Sequence, residues 1–215
     1  TVTGAIVLLG FDAIRNLLLT TSVFDVFANS QEADRLNQEK YWDHSIGCAV
    51  AAKVIGNALR HDKIEELFVS GLLHDIGKIV EMMFLPKEFS KLTAYAHRKQ
   101  VLIRVAEDKL LGYTHAEIGE WLAQRWNLPP KLVSIIAHHH QPSVAGQFTL
   151  EAAIVHLADI LCRALNIGFG GDDKIPQLDA FARDSLKIKT QAIEPIMQEI
   201  KKEFDDINML IAYSP

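Results

Sequence analysis

Apolar residues recur every three or four positions along nearly the whole chain, and the spacing is clear at Ile46, Ala49, Val50 and Val54. This is the period of an amphipathic α-helix, in which such positions share one face. A convincing alternation of apolar and polar residues, which would indicate strands, does not occur. The pattern therefore predicts an all-α protein with short connections.

The same pattern places the individual helices and divides the chain. We expect helices near residues 3–9, 11–28, 31–37, 41–60, 62–75, 86–99, 101–110, 115–126, 130–140, 149–165, 176–184 and 187–211. The Gly-rich, acidic stretch at residues 168–173 is the best candidate for a boundary. We predict an N-terminal helical segment (1–38), a central domain (39–170) and a C-terminal helical segment (171–215). Because the chain opens on Thr1 rather than methionine, we expect the first segment to be incomplete.

Composition narrows the functional classes. The chain has 215 residues, 49% of them hydrophobic, with a mean hydropathy of +0.09, which fits an ordered globular protein. Its 22 basic and 27 acidic residues give a net charge of -5 without a basic run, so sequence-wide nucleic-acid binding is disfavoured. No apolar run is long enough for a membrane span. Two cysteines, Cys48 and Cys162, form no disulfide framework and suit a reducing compartment, so we expect a cytoplasmic protein.

The stretch GLLHDIGK, residues 71–78, places an imidazole beside a carboxylate behind an apolar run. One interpretation is a helix that ends at Gly77, with His74 and Asp75 solvated in its last turn. A carboxylate is unfavourable near the negative end of a helix, however, so Asp75 calls for a cation. Either Lys78 or a metal ion would meet that need.

Other histidines and one aspartate stand in equally unusual settings. All nine histidines lie between His44 and His156, and His44 shares a helix face with core-directed residues, where a core histidine is the simpler explanation. Asp159 lies in a helix that is apolar on nearly every side, where a lone carboxylate is costly. His156, one turn earlier, is its local candidate partner.

Two further histidine positions belong to helix ends. His115 follows Thr114, which forms a capping-box pattern with Glu117; the helix N-terminus there should lower the imidazole pKa and favour the neutral, ligating form. His139 and His140 extend the buried face of a helix opened by prolines. Two adjacent imidazoles aimed at an interior favour a shared cation.

The order His44, His74-Asp75 and Asp159, with the phrase HDIGK, resembles the HD superfamily of metal-dependent phosphohydrolases. AIVLLGFDAIRNLLL and YWDHSIGCAVAAKVIG resemble the HDOD family, the HD-related output domains of bacterial signalling proteins. The resemblance covers nearly the whole chain. It implies an HD-superfamily helical bundle with flanking N- and C-terminal helices, and residues 39–170 as its metal-binding domain.

THAEIGEWLAQRWNLPPKLVSIIAHHHQP also resembles the HD-GYP branch of cyclic-dinucleotide phosphodiesterases. By this resemblance the ligand set comprises His44, His74, Asp75, His115, His139, His140 and Asp159. Three departures limit the analogy: Gln141 stands where that branch has glutamate, the Gly-Tyr-Pro loop is absent, and Lys40 stands where trinuclear members carry glutamate. The resemblance therefore implies two metal ions and leaves the substrate open.

The implied set offers nitrogen and oxygen ligands, which favour iron or manganese and leave zinc, nickel and cobalt open. Asp75 would bridge two ions that activate water, and Lys78 would anchor a phosphate group. This gives a metal-dependent phosphohydrolase or phosphodiesterase acting on a phosphate-containing small molecule or nucleotide. The alternative is a non-catalytic signalling output module that keeps the metal and binds protein partners. A rival site would be structural zinc bound by His44, Cys48, Asp159 and Cys162.

Overall fold

The computed structural model describes residues 32–212, with side chains for residues 39–209. Its α-helices are α1 (Glu32–Ala58), α2 (Ile64–Leu73), α3 (Ile76–Phe84), α4 (Pro86–Lys99), α5 (Ile103–Leu110), α6 (His115–Arg125), α7 (Pro130–His138), α8 (Thr149–Ala164), α9 (Ala180–Leu186) and α10 (Thr190–Ala212). Short 3₁₀ turns at Pro142–Val144 and Gly146–Phe148 link α7 to α8. No strand occurs among residues 32–212, so the all-α prediction is confirmed for this part of the chain.

The main hydrophobic core lies between α1, α2 and α8, with α9 and α10 packed against the same helices. Ala182, Leu186 and Ile200 of the C-terminal helices are buried in that core. A second core joins α3, α6 and α7, and a third, smaller one joins α4 and α5. The division of the chain at residues 168–173 stays a prediction.

Most helices lie where the periodicity predicts them, with three exceptions. The helices predicted at 3–9 and 11–28 lie outside the described residues. Those predicted at 31–37 and 41–60 form one continuous helix, α1, because no Gly or Pro interrupts the polar stretch between them. Helix α3 was not predicted at all, since the sequence offers Gly77 as a plausible helix end.

Gly77 lies inside α3 rather than at a helix end. A Cβ at this position would overlap the carbonyl oxygen of His115, so the absent side chain lets α3 approach the start of α6 closely. His74 and Asp75 lie at the break between α2 and α3, and both are buried. The interpretation that places them in solvent is therefore wrong.

Within the described chain, none of the helices combines the length and apolar character that a membrane crossing requires.

Candidate metal centre

Polar side chains from five parts of the chain converge between the first two cores. They come from α1, the α2–α3 break, the first turn of α6, the end of α7 and the middle of α8: His44, His74, Asp75, His115, His139, His140 and Asp159. Only His140 is partly exposed; the other six are buried. The structure thus brings together every predicted ligand, and burial of this many polar groups calls for compensation.

Asp75 lies at the centre and divides the imidazoles into two sets. Its Oδ2 atom is 3.7 Å from Nε2 of His44 and 3.3 Å from Nε2 of His74. Its Oδ1 atom is 3.2 Å from Nε2 of His115 and 3.5 Å from Nε2 of His139. One carboxylate therefore presents a different oxygen to each set, as a ligand shared by two ions would.

The ligand atoms form two groups, in each of which they lie within 4.8 Å of one another. The first contains His44, His74, Asp159 and Cys48, and the second contains Asp75, His115, His139 and His140. The Cys48 sulfur is 3.6 Å from Nε2 and 4.0 Å from Nδ1 of His44. It therefore lies beside the ring, away from the direction of the Nε2 lone pair. Neither group includes Cys162, so the structure does not assemble the rival four-residue zinc site in the described chain.

Hydrogen bonds at Nδ1 fix the orientation of three imidazole rings in the cluster. Nδ1 of His74 lies 2.7 Å from the Gly71 carbonyl oxygen, and Nδ1 of His139 lies 2.8 Å from that of Ile136. Because a carbonyl oxygen only accepts, each Nδ1 carries the proton and each Nε2 is left bare. His115 makes the corresponding bond to a carboxylate of Glu107. Nε2 of each of the three rings faces Asp75.

Unpaired polar atoms concentrate in this cluster. Among the described residues, five buried side-chain nitrogen or oxygen atoms have no hydrogen-bond partner. Three of them are Nε2 of His74, Nε2 of His139 and Oδ1 of Asp75; the other two are the carboxylate oxygens of Glu81. Buried polar atoms are normally paired, so unpaired lone pairs aimed at one another fit a site for cations. The residues present therefore suit the metal ions that the family resemblance implies.

The carboxylates in the cluster are ionised. Burial alone would raise the pKa of Asp75, but the charges of His74, Lys78 and His115 hold it well below its usual value. Burial opposes the ionisation of Asp159 in the same way, and the Arg163 guanidinium outweighs it and keeps that pKa low. Two anions at the centre of a buried site attract cations.

The pKa values of the imidazoles shift in opposite directions, depending on the neighbours of each ring. Burial alone would lower the pKa of His44, but Cys48 and Asp159 raise it to about 9. Burial lowers the pKa of His139 to about 4, and it holds that of His140 well below its usual value. These two neighbouring rings are therefore neutral at pH 7, which is the form that ligates metal.

For His115 the expected direction of the pKa shift is wrong. The Thr114–Glu117 capping box is present, as predicted. Burial lowers the pKa of His115, but the charge of Glu107 opposes it and the pKa rises to about 9. A carboxylate in direct contact outweighs the partial charge of a helix end.

Asp159 has different partners from the one expected. Its Oδ1 atom lies 3.2 Å from Nε2 of His44 and 2.9 Å from Nε of Arg163. His156 instead bonds through Nδ1 to the His139 carbonyl oxygen at 2.8 Å. The side chain of His156 points away from Asp159 because it fixes the end of α7, and it leaves Asp159 free for the cluster.

Lys78 is fully buried beside the centre. Its Nζ donates to Oδ2 of Asp75 at 2.6 Å and to the Gly170 carbonyl oxygen at 2.9 Å. Gly170 belongs to the loop at residues 168–174, which lies over the cluster and is also bound by Arg163. Gly168 in this loop has φ +63° and packs on the backbone of His44, where a Cβ would collide.

One residue of the cluster reaches the protein surface. Arg104, His140, Arg163 and Pro176, among others, line a surface cleft that is too small to hold a water molecule. His140 is the cluster residue that reaches it. His140 therefore lies nearest to the surface among the cluster residues, and the exposed Arg104 lines the same cleft.

Three residues at the site were not anticipated from the sequence: Glu81, Glu107 and Arg163. Each is a charged residue on the buried face of an amphipathic helix, and both glutamates are fully buried. Helical periodicity could have shown that they point inward, since buried charges need partners. It could not have shown which partners they have.

The chain is similar to known proteins in sequence and in fold. The HDOD domain profile matches residues 1–142. A solved HDOD domain protein of unknown function from Geobacter sulfurreducens is 26% identical with a TM-score of 0.63, over 98% of this chain and 72% of that one. The MmoQ response regulator from Methylococcus capsulatus is 23% identical with a TM-score of 0.56, over 92% and 74%; this likeness shows the fold alone.

Among curated proteins, a Ribonuclease Y from Thermus thermophilus is 36% identical over 95 residues, which is 44% of this chain and 12% of that protein. The chain spans well under half the length of the curated relatives it matches. The profile match covers more than half of the chain and includes every proposed ligand except Asp159. On this evidence the protein belongs to the HDOD family.

Proposed function

We propose that the buried cluster holds two divalent transition-metal ions and that the protein uses them to hydrolyse a phosphate ester. The observation that carries this proposal is the position of Asp75, whose two oxygens face two separate sets of imidazoles. Seven ligating side chains exceed what one ion takes up, and mixed nitrogen and oxygen donors suit iron or manganese. Bound ions would supply activation of water and neutralisation of charge on the phosphoryl group.

The chain's own residues have distinct roles in this proposal. His44, His74 and Asp159 hold one ion, and His115, His139 and His140 hold the other, with Asp75 between them. The buried side chains exclude bulk water, and His140 and Arg104 stand where a phosphate group enters. Lys78 anchors that group with its third N–H, because Asp75 and Gly170 accept the other two.

The first experiment measures metal content. We expect one to two transition-metal ions per chain after reconstitution with iron or manganese, determined by elemental analysis. Asp75→Ala should lower the content more than loss of any single histidine, since it removes a ligand of both ions. His97→Ala is the matched control, because His97 is exposed and pairs only with Asp173 at the surface. Well under half an ion per reconstituted chain would refute the two-ion site.

The second experiment tests catalysis on the metal-loaded protein. A panel of nucleotides, cyclic nucleotides, cyclic dinucleotides and a generic phosphodiester should contain a substrate whose hydrolysis stops when the metal is removed. The absence of hydrolysis across the panel by fully loaded protein would contradict the enzymatic proposal and leave the metal site intact.

A second candidate function is a signalling output module that binds metal and acts through protein partners. The closed site favours it: the ligands are almost wholly buried, and the loop at 168–174 is bonded to Lys78 and Arg163. In that case metal loading should change the protein's binding to signalling proteins and not its turnover of phosphate esters. The substrate panel separates the two candidates.

A further inference from the structure

Glu107 lies directly behind His115 and is completely buried. It reaches from α5 across the turn that precedes α6. Its Oε2 atom accepts the backbone N–H of His115 at 2.9 Å and lies 2.7 Å from Nδ1 of the same residue, while Oε1 lies 2.9 Å from Nδ1. One carboxylate therefore holds both the backbone and the ring of a single residue.

This contact decides which nitrogen of His115 is available. Oε2 of Glu107 accepts the backbone N–H of His115, and the same oxygen lies within hydrogen-bond distance of Nδ1, where it accepts the ring proton. Nδ1 must then carry a proton, and Nε2 is turned toward Asp75 Oδ1 at 3.2 Å and His140 Nε2 at 2.9 Å. The ring cannot rotate away without breaking a charge-assisted hydrogen bond in a buried setting.

His115 differs in this respect from two other rings of the cluster. His74 and His139 are held through Nδ1 by neutral backbone carbonyls three residues earlier in the chain. A carboxylate behind an imidazole fixes its tautomer and also makes the ring a stronger ligand, because the negative charge favours bonding to a cation at the opposite nitrogen. His115 is thus supported differently from His139 in its own group and from His74 in the other group.

We propose that Glu107 is a positioning residue, which holds His115 through Nδ1 and so directs Nε2 toward the ion on the Oδ1 side of Asp75. The metal-binding part of this inference rests on the proposed function; the orientation of the ring does not. Loss of Glu107 should weaken the ion held by His115, His139 and His140 and spare the ion held by His44, His74 and Asp159.

The chain provides a matched control in Glu81. Like Glu107 it is a fully buried glutamate beside the same cluster, and burial next to Glu107 raises its pKa to about 8. Unlike Glu107, it makes no hydrogen bond to any ligand, since both of its carboxylate oxygens are without a partner. Glu81→Gln and Glu107→Gln therefore replace the same side chain at the same depth, and only the second removes a contact with a ring.

The test uses the full chain and two measurements. In metal-free protein held above the pKa of His115, where the ring is neutral, ¹⁵N–¹H correlation spectra of the imidazoles report which nitrogen of His115 carries the proton. We expect the Nδ1–H form in the parent and in Glu81→Gln. In Glu107→Gln we expect the Nδ1–H form to lose population to Nε2–H, because a neutral amide oxygen accepts more weakly than a carboxylate and the amide NH2 can donate to Nδ1. Titration with manganese, followed by its electron paramagnetic resonance, then gives the affinity for each ion.

In Glu107→Gln, one of the two ions should bind about 10- to 100-fold more weakly, and the other should be unchanged. Glu107→Asp keeps the charge on a shorter side chain and should recover part of the loss; it also serves if the glutamine variant does not fold. An unchanged His115 tautomer in Glu107→Gln, or equal weakening of both ions, or the same loss in Glu81→Gln, would overturn the inference. If the parent binds no manganese but the tautomer shifts as expected, the proposed function fails and the positioning of the ring stands.

Discussion

Replacement of Arg163 by methionine should destabilise the metal-free protein strongly. The guanidinium is only 6% exposed and donates to Asp159 at 2.9 Å and to Asp172 at 3.1 Å. It also donates to the carbonyl oxygens of Lys174 at 3.1 Å and Gly170 at 3.2 Å. Methionine would fill much of the same space and make none of these bonds.

The size of the loss follows from what remains around the two carboxylates. Asp172 keeps two backbone N–H donors, those of Ile103 and Lys174, each at 2.8 Å. Among the described side chains, Asp159 keeps its contact with His44. Hydrogen bonds to charged groups contribute about 1.5–3 kcal/mol each, and loss of one partner from a buried ion pair costs about 3–5 kcal/mol. We expect the free energy of unfolding to fall by about 3–5 kcal/mol.

Urea unfolding followed by circular dichroism, with a chelator present, measures this loss. Arg183→Met is the matched control: Arg183 pairs with Asp184, but both are largely exposed, and the change should stay within about 0.5 kcal/mol. Adding Asp159→Asn to Arg163→Met should restore part of the stability, because it removes the uncompensated charge. A loss below about 1 kcal/mol for Arg163→Met would refute the reasoning from buried charge.

Three further predictions concern neighbouring residues. Gly77→Ala should lower the free energy of unfolding by about 1–3 kcal/mol or more, measured by urea unfolding, because its methyl group collides with the backbone of α6; an unchanged midpoint would contradict this close approach. Lys78→Met should bind metal at least as well as the parent by elemental analysis, since a competing cation leaves Asp75, yet hydrolyse any substrate poorly; undiminished turnover would exclude Lys78 as the anchor. Changing both Cys48 and Cys162 to serine should reduce stability and leave metal content intact, and sulfur ligands in the parent's X-ray absorption spectrum would contradict this.

The sequence was most informative about residues whose unusual environment can be recognised from the residues next to them in the chain. Asp159 stands out because apolar residues surround it in one helix, and the His-Asp pair stands out beside Gly77 and Lys78. The structure brings these residues to one place, as the motif predicts. Local sequence also gave the start of α6 correctly, because a capping box is a local interaction.

Contacts between separate elements were beyond the reach of the sequence. The sequence around Gly77 is equally compatible with a helix end and with the close approach of a neighbouring backbone. Only the packing of α3 on α6 distinguishes these two possibilities. Glu107 acts on His115 from the preceding helix, and this reverses the pKa shift that the helix end alone would produce. In that case the charge of a residue from another helix had a larger effect on the pKa than the helix N-terminus did.

The closure of the cluster affects how fast anything can enter or leave it. Asp75 is 1% exposed, and the loop above it is bonded to both Lys78 and Arg163. An ion can pass only while the chain is locally open, and each opening breaks these bonds at a cost in free energy. When openings are rare, their frequency sets the rates of uptake and release, however quickly the ion exchanges ligands in water. Metal captured during folding would therefore outlast a chelator for as long as the loop stays shut.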